Sequence, residues 1–271
     1  MLKSKSSRWL AGPYLVWMTI FTVVPLLIVI WYAMTNSDGQ FTFDNLTQIG
    51  GYGSVFARSL LLALISTVVC LIIAFPVGYF LSRLRVNKQH IMLMLVMLPM
   101  WMNFLLRTYA WMTLLEKNGL INKFFGLFGL GPFNMINTSG AVVLGMVYNY
   151  LPFMILPLYT TLSRLDSSLI EAAGDLGADS FQTFIKVIFP LSIPGIVSGV
   201  SMVFLPAMTN YVVLDMLYNS TYIMGSLIGS YFSAYDWHNG SMIALILLFI
   251  IGIVAVVSEG NDTENTGRGL V

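Results

Sequence analysis

The sequence predicts an all-α, polytopic membrane protein with six transmembrane helices. Three observations predict it. Only 9% of the 271 residues are charged and 57% are hydrophobic, whereas a soluble domain carries about a quarter charged residues. Six apolar runs are each long enough to cross a hydrocarbon core, which takes about 20 residues. A single charged, helix-patterned island, LIEAAGDLGADSFQTFIKVIFPLSIPG (169–195), interrupts those runs.

The runs fall at 9–34, 59–82, 91–115, 140–162, 191–216 and 239–258. The first follows Lys3, Lys5 and Arg8, as a signal peptide would, but it is longer than a signal core and lacks a small-x-small cleavage site at its end. It reads as a retained anchor. With the N-terminus in the cytoplasm, Lys3, Lys5, Arg8, Arg83, Arg85, Lys88, Arg164, Lys186 and Arg268 lie inside, Arg58, Lys117 and Lys123 lie outside, and Arg107 lies within a span. That nine-to-three bias favours both termini inside. The outer loops at 35–58, 116–139 and 217–238 hold most of the turn-forming Gly and Asn residues. Residues 1–258 thus form one transmembrane domain, and the polar stretch 259–271 is expected to be a disordered cytoplasmic tail.

Pro25, Pro76, Pro99, Pro152, Pro157 and Pro206 fall inside the runs, where each is expected to kink its helix. Kinked helices suit a watery cavity, where freed carbonyls are tolerated. Other function classes are excluded. No basic stripe exists for nucleic acid. Cys70 is the single cysteine, so no intrachain disulfide forms, and His90 and His238 alone offer no metal-ligand spacing. No G-x-x-x-x-G-K-[ST] phosphate loop is present, and the glycines of GLFGLGPF (126–133) read as loop residues. No cofactor is implied.

In the island, Leu165, Leu169, Ala172 and Leu176 share one helix face, and Glu171 and Asp175 lie one turn apart on another. Gly177 is placed to stop this helix. Asp179 or Ser180 can cap a second helix, with Gln182 at capping-box spacing from Asp179. That helix carries Phe181, Phe184, Ile185 and Ile188 on one face, and Pro190 and Pro194 are expected to redirect the chain into the fifth span. An interfacial helix pair resting on lipid would show the same faces. It would not need the small residues Ala172, Ala173, Gly174 and Gly177.

The segment EAAGDLGADSFQTFIKVIFPLSIPG resembles the EAA loop of permease subunits of bacterial ABC importers. Glu171, Ala172, Ala173 and Gly177 match the core of that motif, and Phe189-Pro190 stands where many members have Leu-Pro. LPMWMNFLLRTYAWMTLL, VYNYLPFMILPLYTTLSRLD and FLPAMTNYVVLDMLY are similar to the spermidine/putrescine branch of that family. The resemblance implies a loop at about 164–190 that docks on an ATPase subunit dimer through Glu171, Ala172, Ala173, Gly177, Phe181, Phe184 and Pro190. It also implies a second, paralogous permease subunit, an external polyamine-binding protein and surrounding membrane lipid as partners, with ATP hydrolysed by the partner chain.

A path for a polyamine needs acceptors and aromatic faces. Asp215 is placed near the outer end of the fifth run, either touching the substrate or wetted by the interface. Arg107 lies toward the outer end of the third run, touching the path, snorkelling, or paired with Glu116 or Asp215. Tyr148 and Tyr211, nearest the prolines of the fourth and fifth runs, are the aromatic candidates. Two alternatives stay open: a permease of the same kind for an inorganic anion, a metal or a sugar, and an autonomous secondary transporter or channel. The latter is expected to show repeated halves and acidic sites deep in its spans.

Overall fold

The computed structural model describes residues 5–36, 38–218 and 222–268, with side chains for 12–36, 38–47, 51–218 and 222–256. Lys3 and the side chains of Lys5, Arg8 and Arg268 lie outside the described residues. The helices are α1 (Lys5–Met18), α2 (Val24–Ala33), α3 (Asp44–Ile49), α4 (Gly53–Ser82), α5 (Val86–Met97), α6 (Phe104–Leu115), α7 (Leu120–Gly126), α8 (Ser139–Leu162), α9 (Ser167–Asp175), α10 (Ser180–Thr183), α11 (Phe189–Thr209), α12 (Tyr211–Leu217), α13 (Met224–Ser233) and α14 (Trp237–Arg268). The chain divides into two compact units, residues 1–54 with 227–250 and residues 55–226 with 251–271.

Among the described residues, five apolar helical stretches are long enough to cross a membrane: Gly12–Ala33, Gly53–Ser82, Ser139–Leu162, Ser180–Thr209 and Trp237–Val256. A sixth is the bent pair Val86–Trp101 and Phe104–Gly126, whose arms meet at 87°. The third run, expected as one helix over 91–115, is therefore two. A 3-10 turn (Leu98–Trp101) around Pro99 ends the first arm, and Asn103 starts the second. The Asn103 side chain accepts the amides of Leu105 (2.9 Å) and Leu106 (3.3 Å), supplying partners that a helix start otherwise lacks.

The fifth run also differs from expectation. Its helix begins at Ser180, within the charged island, and ends at Thr209. Pro190 does not redirect the chain. A π turn over Phe184–Ile188 lets the Phe189 amide reach the Phe184 carbonyl, which widens the helix just ahead of a proline whose ring would otherwise crowd the preceding turn. The same device lies ahead of Pro25, where Thr19–Val23 is a π turn and the Val24 amide reaches the Thr19 carbonyl. At the other end of the chain, α14 carries its backbone helix through most of the polar tail to Arg268; extending an existing helix costs far less than nucleating one.

In the first unit, α2 shows lipid-compatible residues all around, with Trp31 63% and Leu27 58% exposed. Asn45 of α3 donates to the carbonyls of Ala33 (2.9 Å) and Thr35 (3.0 Å), closing the turn after α2. The hydroxyls of Tyr52 and Tyr231 bond to each other, and Asp236 caps α14 through the Asn239 amide (3.2 Å).

In the second unit, α8 and α11 form the central packed pair. Their approach depends on glycine. A Cβ at Gly195 would lie 2.6 Å from Thr161 Oγ1, 2.9 Å from Thr161 Cβ and 3.0 Å from the Pro157 carbonyl; one at Gly199 would lie 2.6 Å from Met154 Sδ. Small residues let helix backbones close within a membrane, where packing replaces the hydrophobic drive between helices. Gly195→Ala is expected to destabilise the protein by about 1–3 kcal/mol through overpacking. Gly199→Ala should cost less, because a flexible thioether can yield where a β-branched side chain and a carbonyl cannot. Thermal unfolding in detergent micelles checks the order; equal midpoints for wild type and Gly195→Ala would show that the pair is looser than described.

Candidate functional site

The 164–190 loop is two short helices whose ends are closed by local hydrogen bonds. Asp166 starts α9, accepting the Ser168 amide at 3.0 Å; this bond holds its carboxyl below the usual range. At the far end of α9, the amides of Leu176, Gly177 and Ala178 return to the carbonyls of Ala172 (3.1 Å), Gly174 (2.9 Å) and Ala173 (3.0 Å). Gly177 closes the motif at φ +81, a conformation that costs other residues about 1–2 kcal/mol. Among the described residues, nothing beyond its own chain neighbours lies within 4 Å of a Cβ placed there. Glycine is thus required by the backbone angle, not by crowding within this chain. Asp179 then caps α10 through the Gln182 amide at 2.7 Å, so Asp179, not Ser180, is the cap.

The π turn decides which side chains the loop shows. Phe184, Ile185 and Ile188 were expected on one face with Phe181. Instead Ile188 is buried and Phe184 half-buried, its ring edge-on to Phe75 of α4 at 5.4 Å, while Phe181 (70%) and Ile185 (48%) are exposed. Phe184 therefore packs onto the bundle and does not share the exposed face of Phe181. Glu171, Ala172, Gly177, Phe181 and Pro190 are exposed and Ala173 is half-buried. Leu176, 89% exposed, is the outward residue that sequence reasoning missed. Helix periodicity assigned it to the Leu169 face; the overlooked signal was an apolar residue directly before a helix stop.

The opposite end of the long helix is built on Asn210. α11 stops at Thr209, and the Asn210 side chain accepts the Val213 amide at 3.2 Å to start α12. Its amide also donates to the Tyr150 hydroxyl of α8, which donates in turn to the Pro206 carbonyl at 3.4 Å. Thr209 covers the same carbonyl at 3.1 Å. This polar knot satisfies the broken helix end. Asn210 and Tyr150 carried no distinguishing periodicity, so only the contact across helices identifies them.

Asp215 therefore lies not inside a continuous span but on α12, a separate helix of 7 residues. That helix buries Val213, Leu214 and Leu217 against its neighbours, closely enough that a Cβ at Gly145 of α8 would lie 2.7 Å from Leu217 Cδ1. Tyr211 and Asp215, one turn apart, are both exposed on the other face. Tyr148 is half-buried with its ring edge-on to Trp111 at 5.4 Å. Arg107 makes no ion pair with Glu116 or Asp215 among the described residues. It is 7% exposed, its guanidinium lies 5.9 Å from the Phe104 ring centre, and its Nε and Nη1 have no hydrogen-bond partner.

Residues 1–258 match the family described as "Binding-protein-dependent transport system inner membrane component". The spermidine/putrescine transport system permease protein PotB of Escherichia coli (strain K12) is 36% identical over 253 residues, covering 89% of this chain and 92% of that one. The inner membrane ABC transporter permease protein YdcU of the same organism is 32% identical over 250 residues, covering 82% and 78%. A chain in the crystal structure of the bacterial alginate ABC transporter, in complex with alginate pentasaccharide-bound periplasmic protein, shares the fold. It has a TM-score of 0.78 at 12% identity, over 93% of this chain and 91% of that one. The chain therefore belongs to the family of inner membrane components of binding-protein-dependent transport systems and is a multi-pass permease subunit of an ABC importer.

Proposed function

We propose that this chain forms one half of a membrane path for spermidine and putrescine. The other half is a second, paralogous permease, with an external polyamine-binding protein delivering the cargo and an ATPase dimer docking on the 164–190 loop. Both termini then lie in the cytoplasm, and ATP is hydrolysed by the partner chains. The observation that carries the cargo assignment is the shared exposed face of Tyr211 and Asp215. An ammonium group is drawn to a carboxylate and to an aromatic face, the latter contributing roughly 0.5–2 kcal/mol. Arg107, 7% exposed, does not share that exposed face.

The same architecture supports coupling by alternating access. Ser180–Thr209 is 30 residues of unbroken helix, a rod about 45 Å long. Its lower end is α10, and its upper end is the Asn210 break that holds α12. Motion of the docked loop is carried along the rod to the helix bearing Tyr211 and Asp215. The outward surface of the loop, Glu171, Ala172, Gly177 and Leu176, is the docking face; Phe184 ties that face to α4.

Asp215→Asn keeps size and hydrogen bonding and removes the charge. Losing one charge-assisted contact should cost about 1.5–3 kcal/mol, on the order of tenfold or more in apparent affinity. The measurement is spermidine and putrescine uptake, corrected for protein level, in cells lacking other polyamine importers and supplied with all partner subunits. Unchanged uptake takes Asp215 out of the path, and uptake of an anion or a sugar in place of polyamine overturns the cargo.

Leu176→Asp places a charge on the most exposed point of the docking face, where it is expected to lower co-purification of the ATPase and cargo-stimulated hydrolysis while membrane insertion stays normal. Phe181→Ser should act in the same direction, and Phe184→Ser should instead lower the thermal midpoint. Full ATPase retention by both Leu176→Asp and Phe181→Ser would mean that the loop rests on lipid.

A further inference from the structure

We propose that residues 117–133, the turn that follows α6, form a binding site for an anionic phospholipid at the membrane surface. The chain folds back sharply here: a Cβ at Gly119 would collide with the Leu114 carbonyl. Asn122, 5% exposed, pins the turn. Its amide donates to the carbonyls of Glu116 (3.1 Å) and Phe133 (2.9 Å), and its oxygen accepts the Phe133 amide (2.8 Å). This built turn borders an open cleft of about 590 Å³, lined by Lys117, Asn118, Asn122 and Lys123 together with Gly126 and the Gly129-to-Pro132 stretch. Two cations and no carboxylate face it; Glu116 does not line it.

Beside the cleft the turn shows a row of large apolar side chains. Leu127 is 81% exposed, Phe128 67% and Phe124 58%, with the Phe124 and Phe128 rings packed edge to face at 5.3 Å. A free phosphate would meet the lysines and leave that row in water. A phospholipid supplies both halves of the complement, a phosphate for Lys117 and Lys123 and acyl chains for Phe124, Leu127 and Phe128. The charge complementarity commits the site to an anionic headgroup.

The test uses the full transporter complex purified in detergent and titrated with phosphatidylglycerol or phosphatidylcholine, with bound lipid counted by native mass spectrometry. Wild type is expected to prefer phosphatidylglycerol. Lys117→Gln with Lys123→Gln, both at exposed positions, should lose roughly fivefold of that preference per lysine at an unchanged thermal midpoint. A preference unchanged in the double variant overturns the site, as does displacement of the lipid by inorganic phosphate at equal concentration.

A second measurement reads the apolar row. Cys70 is buried, so a bimane label on Phe128→Cys is site-specific. Brominated acyl chains of phosphatidylglycerol in nanodiscs should quench it. A label left unquenched by lipid, but shielded from iodide when the external binding protein is added, would assign the face to that protein and overturn the lipid site.

Discussion

The rest of the structure depends on one constraint: in an apolar solvent, every backbone amide and carbonyl must find a partner inside the protein. A chain with this much proline in its spans has to solve that problem repeatedly. Ahead of Pro25 and Pro190 the helix widens by one π turn and continues. At Asn103 and Asn210 it stops, and an asparagine side chain takes over the first amides of the next helix. The breaks therefore sit at side chains able to satisfy a free helix end, and proline alone does not mark them.

Those two solutions lead to two mechanical behaviours. The π turn keeps Ser180–Thr209 a single rod, so α10 and the far end of the fifth span belong to one continuous helix. The Asn210 knot, held by the Tyr150 hydroxyl and the Pro206 carbonyl, separates α12 from the end of that rod. Gly195 and Gly199 bring the rod against α8 at a spacing that a methyl group would disturb.

Charge is scarce and so each instance is telling. Arg107 is buried with two nitrogens unpartnered, beside a helix break in a segment that sequence alone treated as a plain span. Asp215 is exposed because α12 turns Val213, Leu214 and Leu217 inward. The carboxylate follows from that amphipathic assignment as its opposite face, and the placing of Tyr211 on the same face follows from the same helical spacing.

The sequence by itself determined the class. Six apolar runs and 9% charge leave only a helical membrane protein, because hydropathy and backbone satisfaction are local properties. The end of α9 at Gly177 and the cap at Asp179 were legible for the same reason: each is settled within about four residues. Tertiary structure alone decided the rest. Whether Phe184 stands outward or packs on Phe75, and whether the fifth span ends in the Asn210–Tyr150 knot, depend on neighbours distant in sequence. The π turn shifts the register of every residue after it, and a periodicity count assumes that no such one-residue insertion intervenes.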